Sequence, residues 1–194
     1  MAKKRAIIGF KGLALAPVTE DSIIAYESQA AEPLPYAGTM SRTPKESTQD
    51  LYYDDDLYAQ IKDISGDDVE IRLAEMSLSD IAKYGLGTYD TLTRTLEADF
   101  NAKGEVYALR CICDTVDHLP YYFNYRVFEI SNIRFDNFQT KGSSLSVCEV
   151  IVSGVFKRPK LPGLTPFAIT CEAEDGANRD ACLAFISQGE AFPK

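Results

Sequence analysis

Residues 69 to 82 decide the fold class, and they read Val69-Glu70-Ile71-Arg72-Leu73-Ala74-Glu75-Met76-Ser77-Leu78-Ser79-Asp80-Ile81-Ala82. In the first part of this stretch, apolar Val69, Ile71 and Leu73 alternate with polar Glu70 and Arg72. Successive side chains of a strand point to opposite faces of a sheet. The alternation therefore predicts a β-strand with one buried face and one face in contact with water.

The second part of the stretch carries the signature of a helix start. Ser77 and Asp80 have the spacing of a capping box, although Asp replaces the usual Glu or Gln. The apolar residues predicted to share one helix face are Leu78, Ile81 and Ala82. Gly85 follows at the position where a left-handed residue commonly ends a helix. The pattern predicts a short helix of about two turns.

The rest of the chain consists mainly of short apolar or aromatic segments of period two, separated by Gly, Pro, Asn and Asp. This pattern is typical of a mainly β protein. The predicted strands cover residues 5–10, 45–53, 57–64, 105–114, 121–130, 145–156 and 167–171, of which 145–156 is the longest. Segments 32–44 and 65–68 are predicted to be an irregular connection and a turn. A length of 194 residues leaves little room for two domains, so residues 1–194 are predicted to form one domain.

Two segments are candidate contact elements. Residues 86–99 fit neither a clean helix nor a firm strand, and their threonines favour an extended backbone. Long connections of this kind are commonly binding elements or disordered, so an extended arm is predicted here. In the second segment, Leu51–Asp56, two tyrosines precede three aspartates. These aspartates are interpreted as a solvated turn or a subunit contact, with a metal site as the weaker alternative because the ligand spacing of a calcium loop is missing.

Charge and hydropathy restrict the partners of this chain. It carries 29 acidic and 20 basic side chains, which give a formal net charge of −9. Tight binding to duplex DNA needs clustered Lys and Arg to displace counterions from phosphates, so it is not expected. No run approaches the roughly 18 apolar residues of a membrane span, so no membrane partner is expected. The basic and then apolar N-terminus is interpreted as the first strand of a cytoplasmic protein and not as a signal peptide.

The sequence offers little catalytic chemistry. His118 is the only histidine, and it lies in a predicted turn, where a solvated side chain is the simpler interpretation. The sequence contains no nucleophile elbow and no phosphate-binding glycine motif. The five cysteines are interpreted as reduced, mostly buried thiols, with Cys111 and Cys113 on opposite faces of one strand. We therefore expect no enzyme activity, no cofactor and no metal.

Several motifs occur in a characteristic order along the chain. They are Ile7–Pro17, Leu51–Asp56, Val69–Ala82, Tyr84–Gly87, Tyr107–Leu109, Tyr121–Phe128 and Thr140–Ser144. In order and spacing they resemble the major tail proteins of siphophages, the phages with long, flexible, non-contractile tails. The similarity extends over residues 5–160, and no single motif carries it alone.

This resemblance implies a tail-tube fold, namely a β-sandwich or partly closed barrel with one flanking short helix and a long extended loop or arm. Hexameric rings would stack into a tube in the virion tail, assembled in the host cytoplasm around a tape-measure protein. Tail-tip and tail-terminator proteins are further implied partners, and double-stranded DNA would pass through an acidic lumen without specific binding.

The resemblance also assigns roles to segments of the chain. Residues 86–99 would form an arm that reaches the neighbouring ring, and residues 161–194 would be a C-terminal extension of uncertain role. The family has no catalytic residues that could be carried over to this sequence. The residues expected at subunit contacts are Tyr52, Tyr53, Asp54, Asp55, Asp56, Thr88, Tyr89, Thr91, Thr93 and Arg94.

Two other classes of function stay open on the sequence alone. The inner tube of a contractile tail or of a secretion needle would share the fold, and the sequence does not separate it from a non-contractile tail. A carbohydrate-binding or adhesin β-sandwich would display exposed aromatic residues, often Trp, and this chain contains no Trp.

Overall fold

Strands dominate the chain in a computed structural model, which describes residues 7–34, 37–53, 56–99, 104–116, 121–136 and 149–171. The strands are β1 (Ile7–Asp21), β2 (Tyr26–Ser28), β3 (Glu32–Pro33), β4 (Ala37–Tyr53), β5 (Asp56–Leu73), β6 (Gly87–Asp90), β7 (Thr95–Ala98), β8 (Val106–Thr115), β9 (Tyr121–Asp136), β10 (Glu149–Lys157) and β11 (Phe167–Cys171). The helix found in these residues is α1 (Leu78–Lys83). The predicted mainly β class is confirmed.

Nine of the strands form one sheet. Its strand order is β2-β1-β8-β9-β10-β5-β4, with β3 paired to β1 and β11 paired to β9. In the described part of the chain the two end strands, β2 and β4, do not pair, so the sheet is not closed into a barrel. Strands β6 and β7 form a separate two-stranded antiparallel hairpin.

The main core lies on one face of this sheet. In β5, Val69, Ile71 and Leu73 are all buried, whereas Glu70 and Arg72 between them are partly exposed, as the alternation predicts. The other large side chains of this core are Leu13, Leu15, Tyr107, Leu109, Phe128, Ile130, Val150, Val152 and Phe156. Ile81 of α1 packs into the same cluster, so the helix covers part of this face.

Helix α1 begins and ends as its sequence predicts. The Ser77 hydroxyl accepts a hydrogen bond from the backbone N–H of Asp80 at 3.1 Å, which satisfies one of the free donors of the first turn. Gly85 follows the helix in the left-handed region, with φ of +78°. Of the apolar residues predicted to share one face, Ile81 is buried and Ala82 is half-buried, whereas Leu78 is exposed at the first residue of this short helix.

The second face of strands β8 and β9 is also buried, and there it holds charged side chains. Arg110 and Asn124 are paired across the two strands and have no exposed surface. Arg110 Nη2 donates a hydrogen bond to the Ser28 hydroxyl of β2 at 2.9 Å. Arg126 Nη1 donates to the backbone oxygen of Thr165 at 2.7 Å. The β2 segment and the connection before β11 therefore cover this face.

Three expectations about element boundaries are wrong. Segment 32–44 is not irregular, because it contains β3 and the beginning of β4. Pro33 of β3 and Pro44 of β4 are tolerated because both strands lie at edges of the sheet, where a missing N–H breaks no ladder. The longest described strand is β5, with 18 residues, and not 145–156. Strand β10 has 9 residues, and the remainder of 145–156 lies outside the described residues.

The predicted turn at 65–68 is a bulge inside β5. The pairing of β4 with β5 shifts register at this point, because Lys45 is opposite Gly66 and Glu46 is opposite Ile64. Gly66 has φ of +152°, a conformation that side chains with a Cβ rarely adopt. A glycine-containing turn signal and a glycine bulge have the same composition, so the sequence does not distinguish them.

Beyond this bulge, β4 and β5 continue as a two-stranded ribbon, defined here as residues 45–53 and 56–66. Strand β5 pairs with β10 only from Asp67 to Leu73. From Asp56 to Gly66 the pairing recorded for β5 is with β4 alone. The predicted strands at 45–53 and 57–64 are thus confirmed, and together they extend past the edge of the sheet.

Candidate subunit interface

The residues predicted to contact other subunits lie in two hairpins. Tyr52 and Tyr53 end β4, and Asp56 begins β5, with Tyr53 paired to Asp56. Asp54 and Asp55, at the tip between them, lie outside the described residues. The other five residues, Thr88, Tyr89, Thr91, Thr93 and Arg94, belong to the hairpin of β6 and β7. The two sets belong to different sheets.

The β6–β7 hairpin has an ordered turn. The Asp90 carboxylate accepts hydrogen bonds from the Thr93 hydroxyl at 2.7 Å and from the Leu92 backbone N–H at 2.8 Å. These two bonds lower the pKa of Asp90 below its usual value. Arg94 follows with φ of +56°, in the left-handed region. The turn holds Leu92 outward, where 94% of its surface is exposed. The arm predicted at 86–99 is therefore a β-hairpin that presents an apolar side chain, while its contact with a neighbouring ring stays a prediction.

A pocket of about 200 Å³ lies at the base of the ribbon. We call it the base pocket. It is lined by Arg42, Gly66, Asp67, Tyr125, Phe156, Lys157, Arg158, Pro166 and Phe167. The lining comes from β4, β5, β9, β10 and the start of β11, since the ribbon leaves the sheet where β10 ends and β11 begins.

Aromatic rings form the wall of the base pocket. The rings of Tyr125 and Phe156 are stacked in parallel, with centroids 4.2 Å apart. The ring of Phe167 lies 5.8 Å from that of Tyr125 and keeps 40% of its surface exposed. Phe156 in turn contacts Phe128 of the main core at 5.2 Å between centroids. The aromatic wall is thus packed against the main core through Phe128 and partly exposed to solvent at Phe167.

An ion pair spans one side of the base pocket. Arg42 Nε donates to Asp67 Oδ2 at 2.5 Å, and the Arg42 guanidinium lies 5.7 Å from the centroid of the Tyr125 ring. A cation at this distance from an aromatic face is attracted to it. Burial raises the pKa of Tyr125, and the neighbouring Arg42 opposes that rise. Tyr125 therefore presents a neutral phenol to the pocket at ordinary pH.

Sequence reasoning missed the base pocket. Arg42 fell in a segment predicted to be irregular, and Asp67 fell in a predicted turn. The run Lys157-Arg158-Pro159 marks the end of a strand, because β10 ends at Lys157. The available signal was this basic run in an acidic chain, close to Phe156 and Phe167.

The cysteine expectation requires a correction. Cys111 and Cys113 lie on the same face of β8, because residues two apart in a strand share a face. The neighbouring Cys113 thiol and burial raise the pKa of Cys111, whereas the neighbouring Cys111 thiol lowers the pKa of Cys113. Both thiols are reduced.

Within the described ranges, no group of three or more His, Cys, Asp or Glu side chains is arranged to hold a metal ion. In the same ranges, no helix has the length and apolar character needed to cross a bilayer. His118 lies outside the described residues, as do Asp54 and Asp55, so their predicted roles stay predictions.

None of the known protein-family models matches this chain, and a search of curated proteins finds no significant match. Function is therefore inferred from the residues and their geometry. The two features that bear on it are the extended ribbon and the hairpin that displays Leu92.

Proposed function

We propose that the protein is a structural, self-assembling subunit: the major tail tube protein of a long, non-contractile phage tail. Its copies form hexameric rings that stack into a tube, and genomic DNA passes through the lumen. The fold proposed for the assembled subunit is the tail-tube sandwich, with α1 on its flank. No catalytic step is part of this function.

The ribbon is the observation that carries the proposal. An isolated two-stranded hairpin is at best marginally stable in water, because it lacks a sheet or helix to cover it. Residues 56–66 of β5 have β4 as their recorded strand partner, and β4 pairs with β5 alone in the described part of the chain. Two long unpaired edges of this kind are templates for strands of another chain. Neighbouring copies of the same protein supply such strands.

Open ends of the sheet support a ring. One end strand of the sheet is β2 and the other is β4, and these edges are different. A contact between unlike surfaces of identical copies is head-to-tail, and it produces a closed ring when the rotation between copies closes. Closure joins the edges of all copies into one continuous structure, which removes the exposed edges.

Charge supports the proposed passage of DNA. With a net charge of −9 the chain does not attract phosphates, and an acidic lumen would let DNA slide without holding it. The tape-measure protein, the tail-tip proteins and the tail-terminator protein are the proposed protein partners, and the virion tail is the proposed location.

Electron microscopy of the purified, concentrated protein tests this function. We expect hexameric rings or long tubes, with a tail-tip complex added as nucleus if the protein alone stays dispersed. The matched control lacks ribbon residues 47–64, with Glu46 and Ser65 joined by a short glycine linker, and should stay monomeric. A wild-type protein that stays monomeric at high concentration, even with a tail-tip complex, would refute the tube. Glycan binding by that monomer would favour the adhesin instead.

A further inference from the structure

The size of the base pocket restricts what it can bind. Pockets for small-molecule ligands commonly measure about 300 to 1,000 Å³. The base pocket, at about 200 Å³, is smaller than that and suits a single large side chain. Its wall of Tyr125, Phe156 and Phe167 favours an aromatic side chain, since aromatic rings pack against one another at centroid distances like those already present here.

The rim of the base pocket is basic. Arg158 is exposed and has no ion-pair partner among the described residues. Lys157 beside it pairs with Glu129, and Arg42 pairs with Asp67. The unneutralised charge of the rim is therefore the positive charge of Arg158. In a chain with a net charge of −9 this local excess favours an acidic partner.

One segment of the chain combines an aromatic side chain with a run of acids. The ribbon tip, residues 51–56, reads Leu51-Tyr52-Tyr53-Asp54-Asp55-Asp56. It offers tyrosines for an aromatic pocket and three carboxylates for a basic rim. Tyrosine is also among the side chains that contribute most to binding in protein interfaces.

The tip of a ribbon does not reach the base pocket of its own chain. Gly66 lines that pocket, and Asp56 lies ten residues further along β5, in a ladder with β4 that continues to Tyr53. At about 3.3 Å per residue, the tip is roughly 30 Å from the pocket. A continuously paired ribbon cannot fold back on itself over that length. A ribbon tip that enters the base pocket must therefore belong to another copy.

We propose that the base pocket binds the ribbon tip of a second copy. One of Tyr52 and Tyr53 inserts against Tyr125 and Phe167, and the aspartates of the tip face Arg158. Neighbouring strand residues point to opposite faces, so only one of the two tyrosines enters. This inference rests on the proposed self-assembly, which it deepens by naming the two surfaces that meet. Each copy offers one tip and one pocket, so the contact is head-to-tail and repeats from copy to copy.

Charge reversal tests the contact. Arg158→Glu and the double variant Asp54→Lys/Asp55→Lys each place like charges across the proposed contact. We expect each variant alone to raise the critical concentration for assembly about tenfold or more, the factor that corresponds to a change of 1.4 kcal/mol. Circular dichroism and urea unfolding should show that each variant folds as the wild type does.

Mixing the two variants provides the control. In an equimolar mixture, the unchanged tip of the Arg158→Glu protein meets the unchanged pocket of the other variant, and the reversed tip meets the reversed pocket. Every contact of an alternating assembly is then favourable, so the critical concentration should return to near the wild-type value. Two outcomes would overturn the inference while leaving the tube function intact, provided that the wild type forms tubes. Either both variants assemble normally on their own, or mixing them does not restore assembly.

Photo-crosslinking tests the contact without tubes. p-Benzoylphenylalanine is introduced at position 52 and, separately, at position 53, and the concentrated protein is irradiated. Mass spectrometry should locate intermolecular links from one of the two positions to Tyr125, Phe167 or Arg158. If the protein does not polymerise at all, such links still support the contact, whereas links elsewhere or none at either position would exclude it.

Discussion

Gly66 in β5 faces the backbone carbonyl of Phe156 in β10 so closely that a Cβ at Gly66 would lie 2.3 Å from that oxygen. The contact lies where the ribbon leaves the sheet and beside the base pocket. Because the neighbouring atom belongs to the backbone, it cannot move aside as the end of a side chain would. The glycine thereby allows β5 to bend and continue as the ribbon.

Replacing this glycine should be costly. Gly66→Ala combines a clash with the backbone and a φ of +152°, so we expect a loss of about 2 kcal/mol or more in the free energy of unfolding. Urea unfolding measures this loss. The matched control is Gly9→Ala in β1, where a Cβ would meet no atom within 4 Å, and it should leave the midpoint nearly unchanged. Equal midpoints for the two variants would contradict the proposed role of the bulge.

Alkaline pH should destabilise the fold through Tyr84. Burial, with smaller contributions from Asp80 and Glu32, raises the pKa of Tyr84 from 10.0 to about 12. Between these values the unfolded chain loses the phenol proton and the folded chain keeps it, so the free energy of unfolding falls as the pH rises through this window. Burial raises the pKa of Tyr107 too, so both rings contribute to the loss.

Tyr84→Phe separates the two contributions. The variant keeps the edge-to-face contact with Tyr107, whose ring centroid lies 5.4 Å away, but it has no phenol to ionise. We expect the decline in stability between pH 10 and 12 to become shallower without disappearing. Denaturant unfolding at a series of pH values measures both slopes. An unchanged slope would show that Tyr84 does not govern alkaline stability.

The thiol pair predicts a difference in reactivity. Cys113 is half-buried and its pKa is lowered by the neighbouring Cys111 thiol, so it should be alkylated well before the buried Cys111. Mass spectrometry after brief treatment with iodoacetamide identifies the modified residue. In Cys111→Ala the pH midpoint of Cys113 alkylation should move upward, because the neighbouring thiol is lost. Cys111→Ser keeps a polar hydrogen at that position and should hold the midpoint near that of the wild type; matching midpoints in the Ala and Ser variants would exclude the Cys111 side chain as the cause.

Leu92 should matter for assembly and not for folding. Because 94% of its surface is exposed, Leu92→Ser should change the free energy of unfolding by less than about 0.5 kcal/mol. If the hairpin of β6 and β7 contacts a neighbouring ring, the same change should reduce the length or number of tubes seen by electron microscopy. Leu96→Ser, four residues away, is the matched comparison, because Leu96 packs against the core and its loss should destabilise the monomer. If Leu92→Ser forms normal tubes, Leu92 does not take part in the contact between rings.

Local patterns were predictable where neighbouring residues in the sequence carry the whole signal. The strand at 69–73 follows from alternation, and the cap at Ser77 follows from its spacing to Asp80. The bulge at 65–68 was not predictable in the same way. Glycine and aspartate are as common in a turn as in a bulge, and only the pairing with β4 on one side and with β10 from Asp67 onward on the other shows that the chain continues as a strand.

The sequence by itself determined that this chain is mainly β and acidic, because strand alternation and charge are properties of short segments and of composition. Tertiary structure alone decided which strands pair, that Arg110 and Arg126 are buried on a second face, and that Arg42, Tyr125 and Arg158 meet at the base of the ribbon. Arg42, Tyr125 and Arg158 are more than 30 positions apart in the sequence, and nothing in the neighbourhood of any one of them signals the others. Their meeting depends on the order of strands in the sheet, which long-range packing sets.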